Sequence, residues 1–147
     1  EMTSSLVGSE MCIRDRKSIG FYSNISYTAP DYKFDLTKAN KVRMKVFVPS
    51  YNDYTTVADV AGDWIAVNQL QKQVAVKLQN SAAGGSAWET QTEIVKTNLT
   101  TDQWIELEFD FSEVKDRKDY DKIVIQFGAE GHAAPGIFFF DDFYFGE

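Results

Sequence analysis

Four stretches of the chain alternate apolar and polar side chains with a period of two, the pattern of a strand that has one face in a core. In KVRMKVFV, Val42, Met44, Val46 and Val48 share one face, and Arg43, Lys45 and Phe47 the other. In QVAVKLQ the inward set is Val74, Val76 and Leu78, which leaves Ala75, Lys77 and Gln79 outward. In WIELEFDF, Ile105, Leu107, Phe109 and Phe111 alternate with Trp104, Glu106, Glu108 and Asp110. In KIVIQFG the inward residues are Ile123, Ile125 and Phe127. Weaker patterns predict strands over residues 19–27, 32–36 and 88–96. The final run, GIFFFDDFYF, is aromatic on both faces and predicts a strand covered on both sides or packed under a loop.

Turn residues punctuate these stretches: Ala29-Pro30-Asp31, residues 49–53, residues 81–86 with Gly84-Gly85, and residues 128–136 with Pro135. About eight short strands so separated predict an all-β fold, an antiparallel β-sandwich of the jelly-roll kind, over any α/β arrangement. Residues 55–70 place Val57, Val60, Ala61, Trp64 and Val67 at helical spacing, but Gly62 weakens a helix, and a long loop with at most one helical turn is expected. Residues 112–120 predict a single turn between two strands, with Ser112 as its N-cap.

Residues 1–16 show no strand alternation, and SSLVGSEMCIRDR resembles the translated read-through of a sequencing-library adapter. The alternative is a flexible native N-terminus; either way the segment is a leader, set apart from the fold. Residues 17–147 then make one domain of 131 residues, enough to bury about two-thirds of the unfolded chain's surface. The lone cysteine, Cys12, falls in the leader, so the domain has neither a disulfide framework nor a thiolate metal site. Removing the leader's three acids and two arginines moves the net charge only from −7 to −6. That acidity argues against a nucleic-acid or anionic-membrane partner. No apolar run is long enough for a helical membrane span.

Catalytic signals are sparse. The single histidine, His132, sits in the loop GAEGHAAPG, where an exposed or backbone-bonded role competes with one in ligand binding. A nucleophilic triad would have to be built on this one loop histidine, with no domain cysteine as nucleophile, and the same shortage of ligands in practice excludes a zinc site. Glu106, Glu108 and Asp110 form an outward acidic row, which reads as a solvated strand face that discourages edge pairing. Asp141 and Asp142, two acids inside an aromatic strand, require a cation, a hydrogen-bonded loop or exposure, and a structural calcium is one such cation. Sugar recognition joins aromatic platforms to long polar side chains. Arg43, Lys45, Lys77, Gln79 and Gln126 point outward and would line a shallow groove, with Trp64 and Trp88, beside Tyr51 and Tyr54, as platforms; the alternative is solvated polar side chains and tryptophans packed on the core rim.

The succession FDLTKANKVRMKVFVPS, KQVAVKLQNS, AWETQTEI, WIELEFDFS, DYDKIVIQFGAEG and PGIFFFDDFYF resembles the galactose-binding-like β-jelly-roll modules of secreted bacterial polysaccharide-degrading enzymes and surface glycan-handling proteins. The likeness runs over residues 34–145. It implies a non-catalytic, carbohydrate-binding domain, extracellular or at the cell surface, that holds a covalently linked parent enzyme or surface protein on its polysaccharide. It also implies a structural calcium near the last strand, at Asp141 or Asp142. Family members usually begin with a further strand, and here the chain enters that region from residues 1–16, so the domain is expected to lack its first strand. Two other readings share the fold: a structural or cell-surface interaction sandwich without a glycan site, and a small lyase or hydrolase, which would need acidic or basic groups converging in a deep cleft.

Overall fold

A computed structural model describes residues 12–16, by their backbone, and residues 24–57, 68–129, 134 and 136–147. Eight strands are found there: β1 (Cys12–Arg16), β2 (Ile25–Thr28), β3 (Lys41–Phe47), β4 (Val74–Gln79), β5 (Thr92–Lys96), β6 (Trp104–Asp110), β7 (Lys122–Phe127) and β8 (Gly136–Gly146). They form two four-stranded antiparallel sheets, one ordered β1-β8-β3-β6 and the other β2-β7-β4-β5. The pairing is nested: first strand with last, second with seventh, third with sixth, and fourth with fifth. The expected all-β antiparallel sandwich is the observed architecture.

The alternating positions explain why the two sheets pack. Val42, Met44, Val46 and Phe109 from the first sheet face Val74, Val76, Leu78, Ile123 and Ile125 from the second, all buried. Phe127 of β7 stacks on Phe138 of β8 at 5.1 Å and 15°, joining the sheets through their aromatic rings. Phe34, Leu36, Phe111 and Tyr120, also buried, belong to the segments next to the starts of β3 and β7.

The last strand solves a phase problem. Phe138 and Phe140 point inward, so strict alternation would send Asp142 and Tyr144 into the core. Instead β8 carries one extra residue: Arg43 pairs with Tyr144 but Lys45 pairs with Asp141, a bulge across from Met44. Asp142 takes the left-handed conformation, φ 50°, that such a bulge needs. Beyond it Phe143 is buried and Tyr144 exposed. The run is therefore not covered on both sides as expected; its aromatics are divided between faces by the bulge. Asp142→Gly, which accepts this φ freely, should leave the melting temperature nearly unchanged, whereas Asp142→Val should cost about 1–2 kcal/mol in denaturant titrations.

Other expectations need correction. Residues 32–36 are not a strand: the Asp35 carboxylate accepts from the Thr37 amide and hydroxyl, starting a turn while Phe34 and Leu36 plug the core. Trp88 does not begin a strand; it lies in the 3-10 segment Ser81–Thr90, and β5 begins only at Thr92. Asn80 caps that segment by accepting from the Ala82 amide at 3.1 Å. The turn after β6 forms as Ser112–Val114, but Ser112 is not its N-cap; the Asp110 carboxylate accepts the Ser112 amide at 2.8 Å. Of residues 19–27, only 24–27 are described, within or next to β2. The backbone of Cys12–Arg16 runs antiparallel to β8, with Ile13 opposite Phe139.

Candidate functional site

The outer face of the first sheet is organised in rungs that cross β8, β3 and β6. Register places Phe139, Phe47 and Trp104 on one rung, Asp141, Lys45 and Glu106 on the next, and Tyr144, Arg43 and Glu108 on the third. Each rung exists because outward residues of adjacent strands stand side by side on a pleated surface. Phe47 meets Trp104 at 5.7 Å and Phe139, edge to face, at 5.9 Å. Trp104, on the edge strand, is 43% exposed, so much of the indole remains open to solvent. The loop after β3 carries Tyr51, also exposed. Asn52 pins that loop to β8 by donating to the Ile137 carbonyl at 2.9 Å and accepting the Ile137 amide at 3.0 Å.

Beside this apolar rung lies a shallow groove of about 330 Å³ over Arg43, Lys45, Glu106, Glu108 and Asp142. Arg43 Nε donates to Glu108 at 2.9 Å, and Lys45 Nζ sits 2.9 Å from Asp142. The hydrogen bond that the ammonium donates to Asp142, helped by the charges of Asp142, Glu106 and Asp141, raises Lys45 above the ordinary lysine value. Two cations face three carboxylates here, so the groove is locally acidic rather than basic.

The residues singled out from sequence do not assemble in one place. Arg43 and Lys45 belong to this groove. Lys77, Gln79 and Gln126 lie on the outer face of the other sheet, on the far side of the sandwich. They are buried there, against the expectation of an exposed row: Lys77 is 5% exposed, with Glu93 as an ion-pair partner at 3.1 Å, and Gln79 donates to Gln91 at 2.9 Å. A buried ammonium requires such a partner. Trp88 is 62% exposed, on the loop between β4 and β5. Trp64 and His132 lie outside the described residues.

Asp141 and Asp142 find explanations inside the strand. The Asp141 carboxylate accepts the Asp142 amide at 2.8 Å, and Asp142 holds the Lys45 ammonium. A calcium ion takes six to eight oxygens. Among the described residues no group of three or more acidic, histidine or cysteine side chains gathers to hold a metal.

The alternation places Trp104 and Phe47 outward but does not group them with Phe139. The missing information was the pairing that sets three separate aromatics on one rung. No helix among the described residues is long and apolar enough to cross a membrane. Compared with known proteins, the chain matches no family profile and no curated sequence.

Proposed function

We propose that this domain is a non-catalytic carbohydrate-binding module that engages a neutral polysaccharide on the outer face of the β1-β8-β3-β6 sheet. The observation that carries the reading is the aromatic rung Phe139–Phe47–Trp104, open at Trp104, beside a groove lined by charged side chains. The apolar CH face of a sugar ring lies on an indole, while Lys45, Glu106 and Glu108 are placed to meet its hydroxyls. The nested strand pairing supports a jelly-roll reading of the sandwich. The groove is open and its carboxylates Glu108 and Asp142 are engaged by cations, which favours binding over acid-base chemistry. On this reading the domain works outside the cell, joined to a parent enzyme or surface protein whose effective concentration at the polymer it raises.

One observation favours a second reading, a protein-interaction sandwich. The same pairing of Arg43 with Glu108 and Lys45 with Asp142 leaves few polar groups free for hydroxyls. Affinity electrophoresis through gels containing neutral polysaccharides separates the two. Retardation by one polymer, with Trp104→Ala weakening binding about tenfold or more while the thermal melt stays cooperative, is the expected result. A folded protein retarded by none of the neutral polymers, or equally by wild type and variant, would transfer the rung to protein docking.

A further inference from the structure

A second groove, of opposite character, opens at the end of the sandwich where β2 leads into β3 and β6 into β7. It encloses about 360 Å³, and Lys33, Lys115, Arg117 and Lys118 line it against a single carboxylate, Asp35. Such a cluster is unexpected in a chain of net charge −7. Some of the charge is already matched. Arg117 holds Asp119 through two bonds of 2.7 Å, Lys33 lies 2.8 Å from Asp121, and Lys38 lies 3.6 Å from Asp35. Lys115 and Lys118 are exposed, and among the described residues neither has a carboxylate partner. Two unmatched ammonium groups flanking a guanidinium in one concavity attract an anion and repel each other without one.

The groove is mechanically joined to the loop that carries Trp88. Lys33 Nζ donates to the Asn80 side chain, which caps the 3-10 segment, at 3.5 Å. Arg117 donates to the Thr90 carbonyl at that segment's other end, at 3.4 Å. Both ends of the Trp88 loop are thus fastened to residues of the groove wall. Before Trp88 the loop reads Ser-Ala-Ala-Gly-Gly-Ser-Ala, and a side chain built on either glycine would meet open space. The small residues leave the 62% exposed indole uncrowded.

We propose that the Lys33/Lys115/Arg117/Lys118 groove, together with Trp88, binds an acidic saccharide, a sugar unit carrying a carboxylate or a sulfate ester. The ammonium and guanidinium groups take the anionic oxygens, and the indole takes the sugar's apolar face. This assignment rests on the carbohydrate-binding reading but uses a site separate from the Trp104 rung. The exposed Trp88 indole, which has an apolar face to offer a sugar ring, favours an acidic saccharide over a bare polyanionic surface.

The test is affinity electrophoresis of the full chain through gels containing polygalacturonate, a sulfated galactan or a neutral galactan. Wild type is compared with Lys115→Ala/Lys118→Ala, Trp88→Ala and Trp104→Ala, each checked by a thermal melt. At least one acidic polymer should retard the wild type, and the effect should weaken between about 50 mM and about 300 mM salt. The double lysine variant and Trp88→Ala should each lose at least fivefold in affinity for that polymer, while Trp104→Ala keeps it. Absence of retardation by both acidic polymers, or retardation unchanged in the folded lysine variant, overturns the proposal. Loss in the lysine variant without loss in Trp88→Ala marks general polyanion attraction and overturns it as well. If neither acidic polymer retards the protein while neutral galactan does so through Trp104, the module reading stands and this second site falls.

Discussion

Phe127→Ala is expected to lower stability by about 3–5 kcal/mol, the largest single effect among the substitutions considered. Phe127 is 1% exposed, stacks on Phe138 at 5.1 Å, and lies 6.2 Å from Phe140. Truncation removes the transfer free energy of the ring and leaves a cavity that the two sheets, each held by its own ladder, cannot close. The lost aromatic contact adds about 0.5–1.5 kcal/mol beyond buried area and falls within that range. Urea titration should show a lower midpoint with an unchanged slope, and the melting temperature should fall on the order of 15 °C. A loss below about 1 kcal/mol would mean that the sheets are not joined through this ring pair.

Asp121→Asn is expected to cost about 2–3 kcal/mol, because one buried carboxylate ties three segments together. It accepts from the Ser81 amide at 2.8 Å, the Ser81 hydroxyl at 2.7 Å and the Lys33 ammonium at 2.8 Å. Its own amide donates to the Gln79 carbonyl at 3.1 Å, so the start of β7, the end of β4 and the segment before β3 meet there. Burial works to raise the Asp121 carboxyl, but Lys33 and Ser81 outweigh it and hold it below the ordinary aspartate value. A depressed folded value means that the charged form stabilises the fold. The contribution is complete above the unfolded carboxylate value of about 3.9 and is lost as pH falls through the lower folded one. Wild type should therefore exceed Asp121→Asn by a constant margin from about pH 5 to pH 7, and the margin should shrink below about pH 4. A margin that does not change down to about pH 2 would assign the loss to shape rather than to charge.

These substitutions test contacts that differ in how far they were legible along the chain. The inward faces of β3 and β7 could be read directly: Val42, Met44, Val46, Ile123, Ile125 and Phe127 are all buried as the alternation predicts. That agreement is physical, because a period of two has only two phases and a core accepts only one of them. The outward faces were less legible. Lys45 and Lys77 both look like outward lysines, yet one lines an open groove and the other is 5% exposed beside Glu93. Both strands are central in their sheets, so the difference lies in how each outer face is covered, which alternation along a strand does not encode. Aromatic runs were least legible, since in FFFDDFYF the phase changes at a bulge that depends on the partner strand.

Local chemistry therefore determined the class of fold, the strands with clean alternation and the turn after β6. Those follow from short-range rules: side-chain direction along a strand and turn propensities. Tertiary structure alone decided which outward residues meet. It placed Arg43 and Lys45 on one sheet and Lys77, Gln79 and Gln126 on the other, gathered Phe139, Phe47 and Trp104 from three strands, and brought Lys33 to the groove that also holds Lys115 and Lys118. Pairing register and sheet membership arise from contacts between residues dozens of positions apart, and no periodicity within a single strand encodes them.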